Sequence, residues 1–283
     1  MQIEKASPGC GAIVTGVDVT AMSDGEWQAI YQAWLDSGVI AIRGQNLTIP
    51  QFLDHGRRFG TVQPHLVRKS RHADYPELTV MGIGTRNADG SVNESVYNRG
   101  RGWHTDGPWD PKGCKATQLY GVEIPSRGGD TLFANMTMAY DALPSELKQR
   151  IEGLEADYVY GGASRRGNDL LEPEDRNLPP VRHRLVRVHS ETGRKSLYFN
   201  PTHLLRIVGL PNAEAAALFE ELKAHQIAPG AEYHHQWQVG DLVTWDNRCM
   251  LHSAGSGYPI EESRIHWRCT IASDDARGEL VAA

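Results

Sequence analysis

Residues 233–273 read YHHQWQVGDLVTWDNRCMLHSAGSGYPIEESRIHWRCTIAS, and three strand-like segments stand out in them, at 233–239, 241–246 and 265–273. On a strand, every second side chain points to the same face. Arg264, His266 and Arg268 can therefore share a face. Two arginines turned inward on a core strand are costly to bury unless they meet anions. This stretch thus carries a β core together with a reason for that core to hold something negatively charged.

Working outward, further strands are expected at 12–17, 39–43, 116–122 and 130–134. A hairpin is expected from 184–189 and 196–199 around Glu191-Thr192-Gly193. Helices are expected at 24–36, where Trp27, Ile30, Tyr31 and Trp34 recur at steps of three and four behind a Ser23 cap, and at 50–59, with Leu53 and Phe59 buried. Others are expected at 137–143, 145–154 and 213–225. Strands outnumber helices and do not alternate with them regularly, which disfavours a doubly wound parallel sheet. The expected fold is mainly β with flanking helices on a jelly-roll (double-stranded β-helix) core. Residues 1–283 read as one domain, with long turn-rich segments near 86–101 and 161–180 suited to be lids.

Composition narrows the functions. Lys plus Arg number 29 against 35 Asp plus Glu, a net charge of -6, so nucleic acid is not an expected partner. Hydrophobic residues at 40% and charged residues at 23% are those of an ordinary folded protein. No apolar run approaches the roughly 20 residues that span a bilayer, so no membrane is expected. Residues 1–11 lack a basic region followed by an apolar run, and the expected compartment is cytoplasmic. Cys10, Cys114, Cys249 and Cys269 are scattered and suggest no disulfide framework.

The densest local chemistry is Trp103-His104-Thr105-Asp106. If this is a strand, His104 and Asp106 face the same way and can reach one metal ion. A third ligand candidate, His252, lies far along the chain, just past the expected strand at 241–246. Two histidines and a carboxylate form the facial triad that holds Fe(II) and leaves coordination positions open. His-x-Asp alone recurs by chance; the inward arginines strengthen it. Cys249 and His252 imitate one half of a Cys/His zinc site, but no second pair completes it.

These motifs together resemble the taurine dioxygenase/2,4-D dioxygenase family of Fe(II)/2-oxoglutarate enzymes. The resemblance runs over nearly the whole chain: residues 11–18, Arg57-Arg58-Phe59-Gly60, Trp103-His104-Thr105-Asp106, Gly128-Gly129-Asp130-Thr131-Leu132, Trp245-Asp246-Asn247-Arg248, His252 and Arg264-Ile265-His266-Trp267-Arg268. It implies that His104, Asp106 and His252 hold the iron, and that Arg264 and Thr131 hold the distal carboxylate of 2-oxoglutarate. It places His65, Trp109, Tyr160, His203 and Arg268 at substrate-contacting positions. O₂ is the second cosubstrate, and oxidative decarboxylation to succinate and CO₂ is coupled to hydroxylation of a small organic acid. Relatives often form dimers or tetramers, so a homo-oligomer is expected.

Several of these readings compete with plainer ones. Arg268, left over once Arg264 has met 2-oxoglutarate, suits a sulfonate or carboxylate substrate, or else forms a structural salt bridge. Trp109 and Tyr160 serve equally as core. Asn98, Arg99 and Arg101 before the His-x-Asp motif read as solvated rather than substrate-binding. Taurine-oxidising relatives carry an aromatic hydrocarbon where His203 stands, which argues against taurine itself. A metal-dependent hydrolase and a non-catalytic organic-acid-binding protein are the alternative functions.

Overall fold

The computed structural model describes residues 1–82, 89, 91–97, 100–165 and 167–273. Asn98, Arg99 and residues 86–88 and 90 of the expected 86–101 lid lie outside the described residues. The larger of two facing sheets runs in the order Gln2–Lys5, Ala12–Thr15, Val39–Ile42, Leu242–Asp246, Ala116–Glu123, Ile265–Ile271 and Val62–Gln63, with Thr79–Met81 also paired to Ile265–Ile271. Only Ala12–Thr15 and Val39–Ile42 pair in parallel within it. The smaller sheet runs Glu232–His235, Thr131–Asn135, Met250–Ala254. Together they are the expected jelly-roll core.

Alternation along Val39–Ile42 shows how the layers fit. Val39 and Ala41 pack with Phe133, Tyr233 and Met250 of the smaller sheet. Ile40 and Ile42 face the other way, against Ile30 and Trp34 of helix Asp24–Ser37 and Phe52 and Leu53 of helix Ile49–Arg57. A strand covered on both faces is a continuous apolar run, and VIAI is one. The first helix is closed at its start by a capping box between Ser23 and Glu26, and at its end by Gly38 at φ 72°. A third apolar cluster joins helices Met136–Ala142, Ser145–Ile151 and Asn212–His225 to Leu197 and Phe199 of the expected hairpin.

Three expectations change. The strand expected at 233–239 ends at His235, because Asp241 Oδ2 accepts Gln238 N–H and closes a turn. His252 does follow the strand Leu242–Asp246, but it lies within a further strand that was not expected, Met250–Ala254, in the opposite sheet. A three-stranded sheet of Leu204–Ile207, Glu155–Tyr158 and Val181–Arg184 has no strand signal in the sequence reading, since its pairing is set by distant segments rather than by local pattern. Among the described residues no helix is long and apolar enough to cross a membrane.

One buried histidine in the first layer predicts a pH response. His55 is 3% exposed and its Nδ1 lies 2.6 Å from Gln118 Oε1. Burial pushes its pKa from 6.5 to about 4, against the Gln118 hydrogen bond. The unfolded chain therefore takes up this proton first as pH falls, so stability present above pH 6.5 is lost on the way down to about 4. His55→Leu should flatten that limb by about 3 kcal/mol, measured by urea unfolding across the range. An unchanged slope would show that other groups control it.

Candidate metal and cosubstrate site

His104 and His252 meet across a single antiparallel bridge, with His104 N–H donating to His252 O at 3.0 Å and the reverse bond at 2.7 Å. Trp103–Asp106 is otherwise not a strand, so the alternation expected for His104 and Asp106 is not what unites them. The bridge places His104, and Asn247 places Asp106. Asn247 Oδ1 accepts the Asp106 backbone N–H at 3.1 Å, and Asn247 Nδ2 donates to Thr117 Oγ1 at 3.0 Å. Thr117 Oγ1 in turn donates to Asp106 Oδ2 at 2.7 Å. Asn247 and Thr117 had no role in the sequence reading. Asn247 lay within the quoted Trp245-Asp246-Asn247-Arg248 run, and Thr117 was signalled only by being a polar residue on a core strand.

One ligand atom from each of His104, Asp106 and His252 lies within 4.8 Å of the others. His104 Nδ1–H donates to Gly102 O at 2.8 Å, which leaves the Nε2 lone pair for a metal. Burial, with His104 next in weight, holds His252 well below the usual histidine range, so its ring is neutral. Burial alone would raise the Asp106 carboxyl, but Arg268, His252, His104 and the Thr117 hydroxyl hold it well below the usual carboxylate range. Two imidazoles and an ionised carboxylate are a donor set suited to a divalent metal. A second cluster, His189, Asp246 and Cys249, fits a metal less well. Asp246 is already gripped by Arg248, and burial keeps the Cys249 thiol protonated.

Arg268 is not the spare cation that sequence bookkeeping suggested. Its Nη2 lies 2.9 Å from Asp106 Oδ1, an ion pair between two side chains that are 9% and 8% exposed. Of these two arginines, Arg264 has no carboxylate partner among the described residues; its hydrogen bond runs from Nε to Gly129 O at 2.8 Å. Gly129, at φ 71°, must be glycine here, since a Cβ would stand 2.9 Å from Arg264 Nε. Thr131 is buried, and its Oγ1 accepts from Trp237 Nε1 at 3.0 Å, leaving its own proton to donate.

His203, Trp109 and Tyr160 gather on the other flank of His104. The His203 ring centroid is 5.9 Å from that of His104 and 4.3 Å from that of Trp109, while Trp109 meets Tyr160 edge-on at 5.1 Å. His203 Nδ1 accepts Gly161 N–H at 3.1 Å, so Nε2 carries the proton. Burial, then His104, pushes the His203 pKa down to about 3. His65 is placed by local contacts, its Nδ1 accepting Val67 N–H at 3.2 Å and its carbonyl accepting Arg71 Nε at 2.7 Å.

A jelly roll that brings two histidines and one carboxylate together has the architecture of a metal-dependent oxygenase. The profile of the family described as "Taurine catabolism dioxygenase TauD, TfdA family" matches residues 2–270. The (S)-phenoxypropionate/alpha-ketoglutarate-dioxygenase of Sphingobium herbicidovorans is 34% identical over 280 residues, covering 96% of this chain and 95% of the relative. The alpha-ketoglutarate-dependent 2,4-dichlorophenoxyacetate dioxygenase of Cupriavidus pinatubonensis is 33% identical over 263 residues, covering 90% and 91%. Among solved structures, a taurine dioxygenase from Burkholderia xenovorans superposes with a TM-score of 0.78 at 29% identity, covering 96% of this chain and 91% of that one. The chain belongs to the TauD/TfdA dioxygenase family and is an alpha-ketoglutarate-dependent oxidoreductase of that type. The hydrolase and acid-binding alternatives are not favoured.

Proposed function

We propose that this dioxygenase uses iron(II), 2-oxoglutarate and O₂ to hydroxylate an aromatic carboxylic acid of the aryloxyalkanoate kind. The observation that carries the substrate class is the cluster of Trp109, Tyr160 and His203 beside His104. Edge-on aromatic packing offers a flat wall for an aryl ring, and the His203 Nε2–H offers a donor to an ether or carboxylate oxygen. A shallow surface depression borders the same wall, with Leu66, Val159, Leu171 and Arg165 in its sides. The two relatives above that share most sequence act, by their names, on phenoxy acids. Taurine has no ring to place against such a wall.

His104, Asp106 and His252 would hold the iron, and Arg264 with Thr131 the distal carboxylate of 2-oxoglutarate. Arg offers that carboxylate a planar fork. When bound, iron with its two cosubstrates supplies oxidative decarboxylation to succinate and CO₂ and transfer of an oxygen atom to a C–H bond. The chain's own residues orient and insulate. Formal charge then favours an anionic substrate. A dication, two guanidinium groups, the Asp106 carboxylate and a dicarboxylate leave a net charge of one positive over the site as a whole. Arg268 would share its fork between Asp106 and the substrate carboxylate.

Two measurements test this. Under anaerobic conditions, Fe(II) with 2-oxoglutarate should give the wild type a weak visible charge-transfer band that is missing in His104→Ala; a folded wild type with no band would overturn the oxygenase chemistry at these residues. A panel of acids assayed for succinate release should rank aryloxyalkanoates above alkanesulfonates; the opposite order would overturn the substrate class. Arg268→Lys, which keeps a cation beside Asp106 but loses the fork, should retain the band and lower turnover of the aryloxy acid by about tenfold or more.

A further inference from the structure

His266 is fully buried, at 0% exposure, and neither of its ring nitrogens has a hydrogen-bond partner. It lies on strand Ile265–Ile271, on the face that alternation gives to Arg268, and two residues past Arg264, which precedes the strand. Across the ladder it stands opposite Met81 and Gly121. Its ring meets Trp237 nearly edge-on, with centroids 4.4 Å apart, and Trp237 is the residue whose Nε1 donates to Thr131 Oγ1. The imidazole therefore sits at the junction of the two side chains assigned to 2-oxoglutarate, two residues from Arg264 and one ring removed from Thr131.

A buried imidazole with both nitrogens idle is unfavourable to fold around. Such a group is expected where a ligand completes its hydrogen bonds, and proteins break the rules of packing chiefly at functional sites. Burial, then the Arg264 and His235 neighbours, holds its basicity well below that of a free histidine, so the ring is neutral and has one N–H to give. Arg264 has no carboxylate partner among the described residues, and the Thr131 hydroxyl accepts from Trp237 and keeps its proton to donate. The Arg264 Nη groups, the Thr131 hydroxyl and the His266 N–H thus each keep a donor to give, and a carboxylate with two oxygens is the simplest group that takes all three.

We infer that His266 donates a third hydrogen bond to the distal carboxylate of 2-oxoglutarate, beside Arg264 and Thr131. The inference rests on the cosubstrate reading above. It makes His266 a determinant of which 2-oxo acid is accepted, selecting for a carboxylate at the far end of the chain. It also makes the residue a burden on the ligand-free fold, since an apolar side chain of similar size would fill the same place with no idle polar atoms.

The test is calorimetric titration of anaerobic, Mn(II)-loaded wild type, His266→Leu and His266→Gln with 2-oxoglutarate and with 2-oxopentanoate, which has the same carbon chain but ends in a methyl group. His266→Leu should bind 2-oxoglutarate about 10- to 100-fold more weakly and bind 2-oxopentanoate as the wild type does. Its ligand-free melting temperature should be equal or higher, and His266→Gln, with an amide donor, should recover part of the affinity. Unchanged 2-oxoglutarate affinity in His266→Leu, or equal weakening of both acids, would overturn the inference while leaving the cosubstrate reading in place. A wild type that does not bind 2-oxoglutarate would overturn both.

Discussion

Asp106→Ala will abolish 2-oxoglutarate turnover and at the same time lower the stability of the ligand-free protein by about 3–5 kcal/mol. The second effect is unusual for a metal-site residue, and it follows from where the carboxylate sits. Asp106 Oδ1 pairs with Arg268 at 2.9 Å, Oδ2 accepts the Thr117 hydroxyl at 2.7 Å, and His252 Nε2 lies 3.7 Å away. Removing the carboxylate leaves a buried guanidinium with no anion, and an unpaired buried charge is far costlier than a missing pair. Urea unfolding of the ligand-free variant reads this directly. Added Mn(II) should raise the midpoint of the wild type and leave that of Asp106→Ala where it was, because only a bound metal adds to stability. A variant as stable as the wild type would mean that Arg268 finds water or another acceptor when Asp106 is gone. A variant that metal still stabilises would mean that Asp106 is not a ligand.

The same residue shows how much of this protein its sequence reveals. That His104, Asp106 and His252 belong together was legible from residue types and from the surrounding motifs. The reason was not. A strand at 103–106 would have explained two of the three clustered residues; instead a bridge across 148 residues sets His104 against His252, and Asn247 holds Asp106 by its backbone. Neither contact has a local signature, because the residues that make it are neighbours only after the two sheets have closed. His266 and Arg268 fared better. Period-two alternation is a property of the strand alone, and it survives whatever packs against it. Alternation tells which way a side chain points but not what it meets, so Arg268 looked spare when it is paired, while His266 looked incidental and is idle. The apolar run 39–42 and the Ser23 cap were readable for the same reason, since each depends on a few adjacent residues.

The largest purely structural effect is expected at Asp246, next to Asn247, which positions Asp106. Arg248 lies across Asp246 in a two-pronged contact, Nε to Oδ1 at 2.8 Å and Nη2 to Oδ2 at 2.6 Å, and reaches Glu191 with Nη1 at 2.6 Å. His189 Nε2 donates to the same Asp246 carboxylate at 2.9 Å, and the guanidinium rests 5.3 Å from the centre of the Trp34 ring. One network thus ties helix Asp24–Ser37 and the 189–191 turn to the turn that carries Asn247. Asp246→Ala should destabilise the protein by about 3–5 kcal/mol, and Asp246→Ala with Arg248→Met by clearly less than the sum of the two single changes. Because the turn around Asn247 loosens, Asp246→Ala should also weaken Mn(II) binding at Asp106, although it touches no ligand. Acid should narrow the gap between wild type and variant. Burial would raise both carboxyls, but Arg248 holds Asp246 well below its ordinary range, and Tyr31 and Arg248 bring Glu191 from 4.5 to about 2. Groups with depressed folded pKa values give stability that is present above their unfolded values and lost as pH falls below them. Urea unfolding near neutral pH should therefore separate the two proteins widely, and below about pH 4 the difference should shrink. A gap that stays constant with pH would assign the loss to packing around Trp34 rather than to charge, and a fully additive double variant would break the network into independent contacts.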